Sequence, residues 1–122
     1  MQERWFSHLA SKPLELILSL CKQPFTEIRC NALLILRALS NQPWAVRLLN
    51  QEPGFLEYLL DRSTEPDKEG KETKYEVVKA LSEAYCTAEI FGNPALLSLK
   101  VYVREGPFFV KVQSEVAMEG AS

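Results

Sequence analysis

Two apolar helical patterns recur in tandem along these 122 residues. In the first, Ile28, Ala32, Ile35, Leu36 and Leu39 return at spacings of three and four, and Leu33 and Leu34 widen the stripe to most of the circumference. A helix patterned that way is expected to be sandwiched between neighbours. In the second, Val77, Val78, Leu81, Ala84 and Tyr85 repeat the idea, Lys79 and Glu83 form a solvent-facing pair four apart, and Ala80, Ser82 and Ala84 permit close approach of other helices. Ala32 and Leu33 match Ala80 and Leu81 at an offset of 48 residues (32 to 80). Further along, Pro43 corresponds to Pro94, and Glu52-Pro53-Gly54-Phe55 to Glu105-Gly106-Pro107-Phe108.

A period of roughly 40 to 50 residues built from two or three helices is the signature of HEAT and armadillo arrays. Each unit of such an array leaves its apolar faces uncovered until the next one stacks on it. The expected fold is therefore all-α, a fragment of a HEAT/armadillo-type helical-repeat solenoid, ending in an extended C-terminal tail.

Prolines punctuate the chain, because the first helical position tolerates a residue without an N–H. Ser11 can cap a helix from Pro13 to about Cys21, and Pro24 with Thr26 opens a longer one ending near Leu39. Gln42 and Pro43 begin the next, ending near Asn50, and a turn at Glu52–Gly54 leads into a short helix over Phe55–Leu60. Asp61 to Lys74 has no apolar residue, contains Pro66 and Gly70, and reads as a solvated loop or frayed helix start. A helix from about Glu76 to Thr87 follows, then one opened by Asn93 and Pro94 that runs to about Arg104. One domain results: a partial repeat (1–22), a repeat (23–62), a charged loop (61–74), a last repeat (75–106) and a tail (107–122). In that tail Phe108, Val110 and Val112 alternate with Phe109, Lys111 and Gln113, an extended pattern suited to capping the last helices.

Composition narrows the function. Hydrophobic residues make up 47% and charged residues 25%, as in ordinary soluble domains, and the net charge of -2 with a pI near 5.5 argues against nucleic acid as a partner. The longest apolar run, Ala32 to Leu36, is far too short to cross a bilayer, and the N-terminus lacks a signal-peptide run, so no membrane partner and no secretion are expected. Cys21, Cys30 and Cys86 lack the close pairing of zinc or redox motifs and read as reduced, buried thiols. Neither a cofactor nor a metal is implied. A catalytic reading would pair His8, the single histidine, with a thiol, but His8 sits by a helix end and reads as a capping or surface residue. No active site follows.

The stretches EIRCNALLILRALSNQPW, KYEVVKALSEAY and, most specifically, LKVYVREGPFFVKV with the terminal MEGAS resemble the C-terminal part of the 26S proteasome non-ATPase regulatory subunit 5 family. The resemblance covers essentially the whole chain and about the last quarter of a family member. It implies a non-catalytic assembly chaperone of cytosol and nucleus that holds the C-terminal domain of a proteasomal ATPase subunit and escorts the forming base with its other subunits.

In armadillo-type arrays the third helix of each repeat lines the concave face, where its polar residues meet the partner. The candidates on that ground are Arg29 and Arg37, eight apart, with Asn41 beyond them, and Lys79 with Glu83 in the following repeat. Arg37 leads, since it interrupts an apolar run and must reach water or a carboxylate. Trp44, just after Pro43, reads as a core aromatic. The alternative is a generic armadillo scaffold gripping an extended peptide. Such grooves carry asparagine on successive third helices, whereas Asn41 lies at a helix end and its counterpart region offers Ser82 and Glu83. Trp5, Phe6 and Leu9 form an apolar N-terminal face through which the chain is expected to self-associate.

Overall fold

The computed structural model of the chain describes residues 13–109, and all regular structure within them is helical. The helices are α1 (described over 13–20), α2 (Thr26–Leu39), α3 (Pro43–Gln51), α4 (Phe55–Leu60), α5 (Lys68–Glu83), α6 (Thr87–Phe91) and α7 (Asn93–Glu105), with a 3-10 turn at Arg62–Thr64. Three of them begin or end as the punctuation indicates: Pro43 occupies the first turn of α3, Pro94 that of α7, and Gly54 and Gly106 take positive-φ backbone at the start of α4 and the end of α7.

The helices stack as successive layers, with α2 packing against α5, α3 against α6 and α4 against α7. Each element thus meets its equivalent in the next unit, which is how a solenoid buries faces that no single unit can bury. This pairing corrects one expectation: matching Pro43 to Pro94 aligned α3 with α7. Both helices do start on a proline, but the short α6 intervenes and takes the place beside α3. A local start signal is shared by any helix, so it does not fix an element's order within a repeat.

One continuous core runs through the layers, from Leu14 and Leu18 through Leu33, Leu36, Leu49 and Leu59 to Leu81, Leu99 and Tyr102. Each fully buried leucine there contributes on the order of 1.5–3 kcal/mol of transfer free energy. Trp44 packs against the edge of this core, in keeping with its reading as a core aromatic. The sandwich expected of α2 forms on one side, where Cys30, Ala32, Leu33 and Leu36 are buried, while Ile28, Leu34 and Ile35 remain exposed.

The charged stretch at 61–74, read as a solvated loop or frayed helix start, is helix from Lys68 on and departs from the loop reading. It is a 3-10 turn followed by two turns of α5, and α5 itself ends at Glu83 rather than near Thr87, where a new helix starts. Glu65, Gly70 and Lys74 are buried. The Asp61 carboxylate accepts from the Ser63 N–H and hydroxyl, closing the turn. Asp67 occupies the N-cap of α5 but accepts from the Thr26 hydroxyl of α2, so it ties two layers together instead of capping its own helix. The segments holding Trp5, Phe6, His8 and Leu9, and the tail beyond Phe109, lie outside the described residues.

Candidate partner-binding face

Helices α2 and α5 run side by side in the same direction. At their N-terminal ends Thr26 bonds Asp67, and farther along Leu34 shares a cleft with Glu72, Thr73, Tyr75 and Glu76. Their C-terminal halves therefore come to the same end of the pair. Arg37 and Asn41 are exposed there on the α2 side, and on the α5 side Glu83 is exposed while Lys79 is half-buried. Lys79 and Glu83 form no ion pair, whereas Lys68 and Glu72 in the first turns of α5 do, at 3.8 Å.

Arg29 belongs elsewhere, which corrects its placement among the partner-binding residues. Eight residues along an α-helix leave about 80° between two side chains, and this rotation turns Arg29 inward while Arg37 faces out. Arg29 is 6% exposed, and its guanidinium donates to both oxygens of Glu65, at 3.0 and 3.2 Å, to the Gln23 carbonyl at 2.8 Å and to the Thr26 hydroxyl at 3.0 Å. Glu65 is itself buried, at 1% exposure. A buried carboxylate needs such a partner, because water no longer solvates it. Arg29 is thus a joint between α2 and the turn leading into α5.

A second buried cation was not singled out from the sequence. Lys74 is 1% exposed, and its ammonium donates to the Tyr58 carbonyl at 2.5 Å, the Asp61 carbonyl at 2.7 Å and the Thr64 hydroxyl at 2.7 Å, and lies 4.1 Å from the centre of the Tyr58 ring. It closes the C-terminus of α4, adding to the Asp61 N–H that also donates to the Tyr58 carbonyl. Burial pushes it down to about 8, against attraction from Glu65 and Asp61. The signal was present: Gly70, Lys74, Val77, Val78 and Leu81 follow one helical stripe, so a helix starting earlier would have placed Lys74 inside.

The cysteines are free and buried. Burial, the leading cause, raises the Cys21 thiol to about 11, which leaves it protonated and a poor nucleophile at neutral pH. Among the described residues no group of histidine, cysteine and carboxylate side chains is arranged to hold a metal, and no helix is long and apolar enough to cross a membrane.

Known proteins resemble the chain over its full length. The family model described as "Proteasome non-ATPase 26S subunit" matches residues 1–122. The 26S proteasome non-ATPase regulatory subunit 5 of Homo sapiens and that of Bos taurus are each 52% identical over 99% of this chain. The Drosophila melanogaster protein of the same name is 29% identical over 85% of the chain. The chain spans about a quarter of the mammalian relatives' length, 24% in each case. No solved structure matches it. With a family model matched from end to end and mammalian relatives at half identity, the chain belongs to the proteasome non-ATPase 26S subunit family.

Proposed function

We propose that this chain is a non-catalytic, protein-binding segment that serves assembly of the base of the 26S proteasome regulatory particle. In this reading it contributes to holding the C-terminal domain of an ATPase subunit, in cytosol and nucleus. The observation that carries it is the α2–α5 pair, which presents Arg37, Asn41, Lys79 and Glu83 at one end in a chain half identical to a proteasome regulatory subunit. Stacked parallel helices offer a broad, rigid surface for a folded partner.

An asparagine ladder for an extended peptide finds less support. Ser82, at the counterpart of Asn41, is buried with its hydroxyl bonded to the Lys79 carbonyl at 2.8 Å. Co-purification from cell extract tests the proposal, using a full-length family member that carries this segment. Capture of a proteasomal ATPase is expected, and Arg37→Glu should weaken it by about tenfold, as loss of a contact residue with a new repulsion does, with unchanged helicity. Full capture by the variant removes this face from the account, and no ATPase capture by the parent ends the proposal.

A further inference from the structure

Away from the α2–α5 face, a groove of roughly 690 Å³ lies between α7 and the α4–α5 connection. One wall is Leu97, Val101 and Tyr102 of α7, the other Leu60 and the Asp61–Ser63 turn with Lys71, and Phe109 closes one end. Its apolar lining is open: Leu97 is 64% exposed, Val101 39% and Phe109 38%. Apolar side chains gathered in one groove of this kind mark a docking surface rather than scattered surface leucines.

The groove is prebuilt by Arg62. Its guanidinium donates to the Gly106 carbonyl at 2.6 Å, the Tyr102 carbonyl at 3.1 Å and Glu105 at 3.1 Å, and stacks 3.8 Å from the centre of the Tyr102 ring. These contacts add to the Gly106 N–H at the Tyr102 carbonyl and hold the C-terminal end of α7 against the 61–64 turn. Arg62 and Glu105 thereby neutralise each other at the floor.

The remaining charges give the rim a sign. Within the lining the charges balance, since Lys71, whose ammonium donates to the Glu65 carbonyl at 2.6 Å, stands against Asp61; beside the lining, exposed Lys100 and Arg104 follow Leu97 and Val101 by three residues each along the outer edge of α7. Lys100 and Arg104 thus leave that edge positive. We infer that this groove docks an acidic amphipathic helix of a partner protein, whose apolar side chains four apart pack on Leu97 and Val101 while its carboxylates face Lys100 and Arg104. A helix suits the site because Leu97 and Val101 are themselves i and i+4 on a helix, and one helix packs into another's groove through such rows. Charge complementarity excludes a basic helix of the same apolar pattern. The inference stands apart from the α2–α5 reading and survives if that one fails.

Fluorescence anisotropy of the full chain with two labelled helical peptides tests it. Both carry leucines at i, i+3, i+4 and i+7, one with glutamates and one with lysines on the remaining positions. The acidic peptide should bind, the basic one should not, and Leu97→Glu, at an exposed site that leaves the core intact, should weaken binding by at least about tenfold. Raising salt from about 0.05 to about 0.5 M should weaken it as well. Equal binding of both peptides overturns the inference, as does binding that Leu97→Glu leaves unchanged. Without binding, a Leu97-dependent dimer in sedimentation identifies a second copy as the occupant. In a monomer that binds neither peptide, a Val101 side chain already protected from solvent identifies the chain's own C-terminal residues. Both results overturn the inference, and so does a groove that stays open and binds neither.

Discussion

At the scale of single residues, three buried charged groups govern how the layers join. Removing one partner of a buried ion pair leaves the other charge unsolvated, at a cost of about 3–5 kcal/mol, while replacing both with apolar residues of similar volume is close to neutral. Arg29→Ala should therefore destabilise the chain by about that amount, and Arg29→Met with Glu65→Leu should recover most of it, as read by urea denaturation. Lys74 adds a pH dependence. Its ammonium lies at about 8 in the fold against an ordinary 10.5, so between those values the unfolded chain holds a proton that the folded chain has released, and stability rises with pH. Cys21 opposes this from 9.0 upward, since its thiol is raised to about 11 and the folded chain then holds the extra proton. The net gain is confined to about pH 8 to 9, where the urea midpoint should rise, and Lys74→Met should flatten that rise.

Among the elements, α5 departs furthest from its local propensities. Gly70 lies within the first two turns, where alanine would ordinarily favour the helix by about 1 kcal/mol. A Cβ there would stand 2.1 Å from Glu65 Oε1 and 3.1 Å from its carboxyl carbon. Glu65 cannot swing aside without leaving Arg29. Gly70→Ala should accordingly destabilise by about 2–4 kcal/mol, the loss of the buried pair outweighing the propensity gain. In a Glu65→Ala background the same change should become stabilising, a reversal of sign that a double-mutant cycle measures directly. The glycine thus reports the close approach of the 61–67 turn to α5.

The whole described molecule shares one core from α1 to α7, and its layers are tied by Thr26–Asp67, Arg29–Glu65 and Arg62–Gly106. Unfolding should therefore be one cooperative transition, with far-UV circular dichroism and amide exchange in α2 and α7 giving the same free energy. Separate transitions for the two helices would mean that the layers fold independently. The same connectivity makes the α2–α5 face rigid, which a surface for a folded partner requires.

What the sequence determined by itself is what depends on near neighbours. Helical periodicity fixed α2 and the second half of α5, proline punctuation fixed the starts of α3 and α7, and apolar stripes without catalytic groups gave an all-α repeat. The arrangement of layers, the inward turn of Arg29 and the burial of Glu65 and Lys74 were decided only by tertiary structure. Their partners lie on other elements, 36 residues away for Arg29 and 16 for the Tyr58 carbonyl at Lys74. A charged side chain looks solvated in sequence because its type sets its cost of burial, whereas the opposite charge or carbonyl that offsets this cost arrives only when distant segments pack.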